Sequence, residues 1–220
     1  MTRVRQQGAI LASTALLAAA LAGCAGAAKP AATKPLPATP VLPADAAPAD
    51  YDRLRAAFGE RPDFITVCER DRPIKPVGEA LEAQQWNEVL RLTEPWLVRC
   101  PVDVDFRVAR TIALEKLERT AEATSEREHA VGLVKSVLRS GDGKSPATAF
   151  VVISVGEEFS TLGAVGLRPK NQRLQEDTIH VITVEKDGQS GELYFDASAH
   201  FRRLAQSGDP GVEKRPTPSP

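Results

Sequence analysis

The sequence predicts an α+β domain in which helical hairpins come first and a small, largely antiparallel three-stranded sheet comes last. Three observations predict it. Up to Arg139 the apolar residues recur at helical spacing. From Ala149 onward they fall in short runs bounded by turn signals. Between the two lies Ser140 to Phe150, SGDGKSPATAF, dense in residues that end helices and make turns.

The chain opens on a leader. Arg3 and Arg5 precede an apolar stretch, Gly8 to Ala20, whose 13 residues are too few to span a bilayer. It ends in Leu21-Ala22-Gly23-Cys24, which resembles the lipobox of bacterial lipoproteins. The resemblance implies that residues 1–23 are removed as a signal peptide. Cys24 then becomes the first residue and carries acyl chains, palmitate among them, on its sulfur and its amino group. Three chains exceed the two signals that stable anchoring needs, so the membrane is the first expected partner, reached through Cys24. Ala25 in place of an Asp after the Cys favours the outer membrane, with the domain on its periplasmic face. Residues 24–50 then read as the lipidated Cys and a tether. Sixteen of the 26 residues after Cys24 are Ala or Pro and none is aromatic, so this stretch has nothing with which to build a core. Its prolines make it semi-extended, with a reach of roughly 80 Å at about 3.1 Å per residue. Residues 207–220, again Pro-rich, read as a disordered tail.

Composition narrows the partners. The chain has 28 Lys and Arg against 29 Asp and Glu, and loss of Arg3 and Arg5 with the leader takes the net charge from −1 to −3. No basic stripe with interleaved aromatics is present, so nucleic acid is not an expected partner. Residues 51–206 are enough for one globular domain that buries about 70% of its surface. With Cys24 lipidated, Cys68 and Cys100 remain as an even pair in an oxidising compartment. A disulfide between them is expected, and two separate buried thiols are the alternative. No Cys/His spacing of a zinc site occurs, so no metal and no cofactor are assigned.

The helical half is 51–140. Tyr51, Leu54, Ala57 and Phe58 share a helical face that Gly59 ends. Arg61 to Lys75 reads as loop, with Pro62 and Pro73 inside it and Pro76 just after. Helices are then predicted near Gly78–Ala83, Trp86–Arg99, Asp105–Glu118 and Ala121–Arg139. Gln85-Trp86-x-x-Val89 is followed 34 residues later by Arg119-Thr120-x-x-Ala123, the period of a tetratricopeptide repeat, so the hairpins read as degenerate tetratricopeptide-like units. Pro95 is expected to kink its helix. Trp86 and Trp96 are candidates for core packing, or for stacking on a ligand. The Glu and Arg run from Glu115 to Glu128 reads as a solvated face, and His129 as a surface or satisfied histidine.

In the connecting stretch, Gly141 sits where a helix C-cap calls for positive φ, Asp142 and Gly143 continue as a turn, and either glycine is expected to take positive φ. Gly143-Lys144-Ser145 has letters of a phosphate loop. The glycine required five residues earlier is Leu138, and the order is helix, loop, strand, so the stretch reads as structural. A modest anion-binding nest is the remaining alternative. The sheet half, 141–206, is predicted to hold strands over Phe150–Val155, Thr178–Glu185 and Glu192–Asp196, the first buried on both faces. Glu157 to Leu162 reads as a short helix and Arg168 to Glu176 as a polar crossover, while Asp187-Gly188 and Ser190-Gly191 are hairpin signals.

SGDGKSPATAF, the FVVISVGEEF stretch that overlaps its end at Phe150, and Leu193-Tyr194-Phe195-Asp196 together resemble the bacterial family called domain of unknown function 4919. The resemblance covers most of the chain after Tyr51. It implies an envelope lipoprotein with helices first and a small sheet last, and it implies no activity.

No GxSxG, SxxK or HExxH motif is present, and no catalytic residue is assigned. The expected function is therefore a lipid-anchored, non-catalytic interaction module that meets an envelope protein. The alternatives are a divergent periplasmic hydrolase, with His180 or His200 beside Asp177 or Asp196, and a lipoprotein that binds peptidoglycan or a small molecule.

Overall fold

In the computed structural model, residues 46–207 are described. Cys24, the leader, the tether up to residue 45 and the tail from residue 208 lie outside them. The fold is α+β. Among the described residues, helices form the first part and four strands form one mixed sheet in the second.

Helix α1 (Pro48–Gly59) starts inside the expected tether. Pro48 stands at its first position, where the missing N–H costs nothing, and the Asp50 carboxylate accepts the Ala47 N–H at 2.8 Å. Tyr51, Leu54 and Phe58 face the core, as their spacing requires. The stretch expected as loop holds a π-turn (Ile65–Glu69) and the start of α2 (Ile74–Glu82). Pro73 and Pro76 fall at the cap and in the first turn of α2, the positions a helix leaves free for proline, so they punctuate its start instead of excluding it. Helices α3 (Trp86–Arg99), α4 (Val104–Lys116) and α5 (Thr120–Arg139) follow. Pro95 lies inside α3, which continues through it, and Thr93 Oγ1 donates to the Val89 carbonyl at 2.7 Å one turn earlier. Helix α1 packs on α5 so closely that a Cβ on Gly132 would come within 2.3 Å of the Tyr51 ring. The Tyr51 hydroxyl in turn meets His129 Nδ1 at 3.0 Å.

After α5 the C-cap is Ser140, in right-handed conformation, and of the two glycines only Gly143 has positive φ, at 66°. Gly141 is constrained by space instead. A Cβ there would lie 2.4 Å from the Thr148 carbonyl oxygen and 2.5 Å from that of Ala149. The Thr148 carbonyl also receives the N–H groups of Asp142 and Gly143, and Asp142 accepts the Lys144 N–H at 3.0 Å. Tyr194 N–H reaches the Gly143 carbonyl at 2.9 Å, so the loop is fastened to the sheet.

The sheet has four strands in the order β1-β4-β3-β2, not three: β1 (Phe150–Val151), β2 (Arg168–Gln175), β3 (Ile179–Lys186) and β4 (Gln189–Asp196). The expected crossover is strand β2. It was hidden because it is an edge strand, nearly all exposed, and its RPKNQRLQ sequence is what an edge uses to discourage further pairing. β2, β3 and β4 form an antiparallel meander, and β1 joins β4 in parallel through Phe150 opposite Phe195. β1 is two residues long, and Val151 is exposed, so the apolar run is not a strand buried on both faces. Val152 and Ile153 are buried as the chain leaves the sheet for α6 (Val155–Ala164). Between β3 and β4 a two-residue turn places Asp187 (φ 52°) and Gly188 (φ 77°) in the left-handed region, and Ser190-Gly191 belong to β4. Helix α7 (Ser198–Ser207) closes the described chain.

Candidate functional site

Two of the three buried apolar clusters of the described residues flank the candidate site. One lies among α1–α5, and the other holds Phe150, Val152, Leu162, Ile182 and Phe195 beneath the sheet. The halves are joined by Arg55 of α1, which is only 6% exposed. Its guanidinium donates to the Glu157 carboxylate of α6 at 2.7 and 2.9 Å, to Ser136 Oγ at 3.1 Å and to the Val151 carbonyl at 2.7 Å. Glu157 also accepts the Ile153 N–H at 2.9 Å. This is a bidentate, fully partnered pair, the form in which a buried charge is tolerable.

Beside that joint is a cleft of about 260 Å³, its walls drawn from both halves. The helical half contributes Phe64 and Glu69 of the π-turn region, Arg72, and Val102 to Asp105 at the start of α4. The sheet half contributes the start of α6 and His200 of α7. Local sequence explains the placement. Asp103 caps α4 by accepting the Phe106 N–H at 3.1 Å, and its carboxylate also accepts from Arg72 at 2.7 and 2.8 Å and from Trp96 Nε1 at 2.8 Å. Arg72 then reaches Asp105 at 2.8 Å and lies over the Phe106 ring. Ser154 caps α6 by accepting the Glu157 N–H at 3.2 Å, and Ser160 of α6 donates to Asp105 at 2.6 Å, drawing α6 against α4.

The cysteines come together. Cys68 and Cys100 form a disulfide, with Cα atoms 5.2 Å apart, that ties the π-turn to the end of α3 and lines the cleft. Of the histidines, His200 lines the cleft, and its Nδ1 is buried without a hydrogen bond, 3.7 Å from Glu69 Oε1. His180 is elsewhere. Its Nδ1 meets Glu158 Oε1 at 2.7 Å and Gln172 Nε2 at 3.0 Å. Glu158 is fully buried, and burial raises its pKa although the bond to His180 opposes the rise. Both His180 and His200 make edge contacts with Phe201. Neither pairs with Asp177, a left-handed turn residue, or with Asp196, whose carboxylate accepts the Ser198 N–H. Trp96 is core and Trp86 is partly buried against that core. Gly141, Asp142 and Gly143 are not among the residues lining the cleft.

Sequence reading missed Arg55, Glu69, Arg72, Asp105, Glu157 and Glu158. One signal was present: Ser154-x-x-Glu157 is a capping-box spacing at a helix start. In the structure the Glu157 carboxylate turns to the Ile153 N–H and to Arg55. The family model described as Domain of unknown function (DUF4919) matches residues 72–205. No curated protein and no solved structure matches the chain.

Proposed function

The chain belongs to the DUF4919 family, and from that footing we propose that it is a lipid-anchored protein of the outer membrane whose domain faces the periplasm and works as a non-catalytic binding module. In this reading Cys24 carries the anchor, residues 25–50 hold the domain away from the bilayer, and the tetratricopeptide-like hairpins α2–α3 and α4–α5 present the cleft to an envelope partner. The observation that carries it is the state of the acids in the cleft. Asp103 and Glu157 are each held by a bidentate arginine, Arg72 and Arg55, which prepares a rigid binding surface. A hydrolase is the second reading. The His180–Glu158 contact favours it, since a base oriented by a carboxylate is half of a nucleophilic site. Against it, His180 Nδ1 contacts Glu158 and Gln172, and among the described residues no hydroxyl or thiol joins them.

The test uses cells that express the full chain with a photo-crosslinking residue at Ile74, an exposed position on the cleft. Palmitate label and outer-membrane fractionation are expected for the parent and lost in Cys24→Ala. Label that persists in that variant would defeat the anchor. A discrete crosslinked species that depends on Cys24 is expected, and its absence would defeat the module.

A further inference from the structure

Resting on the reading of the cleft as a binding site, we propose that it takes a primary ammonium group carried on an aliphatic stem, the chemistry of a lysine-type side chain or of a free linear diamine. Charge is the first argument. Glu69, Asp103, Asp105 and Glu157 line the cleft, and only Arg72 lines it with the opposite sign. Arg55 neutralises Glu157 from behind. Arg203 lends some positive field to Glu69, but its guanidinium is engaged with the carbonyls of Gly59 and Ile153 and with the Phe64 ring. Four carboxylates therefore stand against three guanidinium groups, and the balance is negative.

Hydrogen-bonding capacity is the second argument. Asp103 accepts four hydrogen bonds and is saturated, and Glu157 accepts three, two of them from Arg55. The Glu69 carboxylate meets His200 Nδ1 at 3.7 Å, too far for a hydrogen bond. His200 Nδ1 is itself buried without a partner, an unmet need that normally signals a missing group. The Glu69 carboxylate accepts from an ammonium. Asp105, half exposed on the same cleft, has lone pairs left after Ser160 and Arg72, and an ammonium has three donors to share. Shape is the third argument. The cleft is smaller than the ~300–1,000 Å³ of most small-molecule sites, and Phe64, Val102 and Ile153 give it apolar walls that suit methylene groups.

The experiment titrates the full chain in detergent with Nα-acetyl-lysine methylamide, its Nε-acetylated counterpart, 1,5-diaminopentane and glutarate, read by calorimetry. Saturable binding of one or both amines is expected, with none for the Nε-acetylated compound or glutarate. A stronger response to the lysine derivative assigns a peptide side chain as the source, and a stronger response to the diamine assigns a free amine. Glu69→Gln is expected to weaken binding about tenfold, the loss of one charge-assisted bond, with an unchanged melting temperature because the Glu69 carboxylate makes no hydrogen bond in the fold. Asp105→Asn is expected to weaken it less. Equal binding of the acetylated compound, preference for glutarate, or no effect of Glu69→Gln would overturn the proposal. Chemical conversion of the bound amine would defeat the non-catalytic reading alone, and ammonium recognition would stand.

Discussion

The helical half and the sheet half solve the same problem, a buried charge, with different chemistry. In the helical half the partners are arginines: Arg72 on Asp103, and Arg107 and Arg110 on Glu126. A guanidinium stays charged at any pH a protein meets, so these networks rest on a permanent positive charge. In the sheet half the fully buried Glu158 is held by His180 and by the neutral amide of Gln172. Burial raises the pKa of that acid, so the energy of the arrangement depends on pH. The helical half is also closed by a covalent bond, whereas the described sheet half holds no disulfide. One region is fixed and the other adjustable, and the cleft lies where they meet.

The largest expected effect comes from cutting the joint between them. Arg55→Met leaves Glu157 buried without its countercharge, which by the behaviour of broken buried pairs costs about 3–5 kcal/mol. Urea denaturation followed by the two tryptophans, both in the helical half, checks it. A loss below ~1 kcal/mol would mean the halves do not depend on this pair.

The disulfide sharpens the comparison from the other side. It closes a loop between residues 32 apart, and removing it by Cys68→Ala with Cys100→Ala is expected to cost about 3–4 kcal/mol. The loss should appear in hydrogen exchange of the π-turn and the end of α3, while β3 and β4 stay protected. Equal loss of protection in both regions would show that the halves unfold as one.

The same contrast governs what could be read from the sequence. The helices were legible because Tyr51, Leu54 and Phe58, or Leu133, Val134 and Val137, repeat at a helical period that needs no tertiary knowledge. The β3–β4 hairpin was legible from Asp187-Gly188, since left-handed φ at both positions demands such residues. Strand β2 was not, because its pairing with β3 comes from the backbone and its side chains face solvent. Gly141 misled for a related reason: a glycine retained for close approach to the Thr148 and Ala149 carbonyls looks the same in sequence as one retained for positive φ. The cleft was least legible. Arg55 and Glu157 are 102 residues apart, and Arg72 and Asp105 are 33 apart, so nothing local links them.

The smallest effect, and the most direct test of the contrast, is a slope rather than an offset. Burial raises the pKa of Glu158 in the folded protein above its value in the unfolded chain. Between those two values the folded state holds a proton that the unfolded state has lost. The contribution of Glu158 is therefore full below the unfolded carboxylate range, about pH 4, and is lost as pH rises through the folded value. Glu158→Gln removes the ionisation and keeps the shape: the amide oxygen still accepts from Gln172, and its NH₂ donates to His180 Nδ1. The stability of Glu158→Gln relative to the parent is therefore expected to rise from pH 4 to pH 8. Glu157 and His200 act on the Glu158 charge in the parent alone, so their fields are part of the difference that is measured. Urea midpoints at intervals across that range measure it. A difference that stays flat with pH, or that falls, would place the buried acid of the sheet half in the same fixed class as the arginine pairs of the helical half.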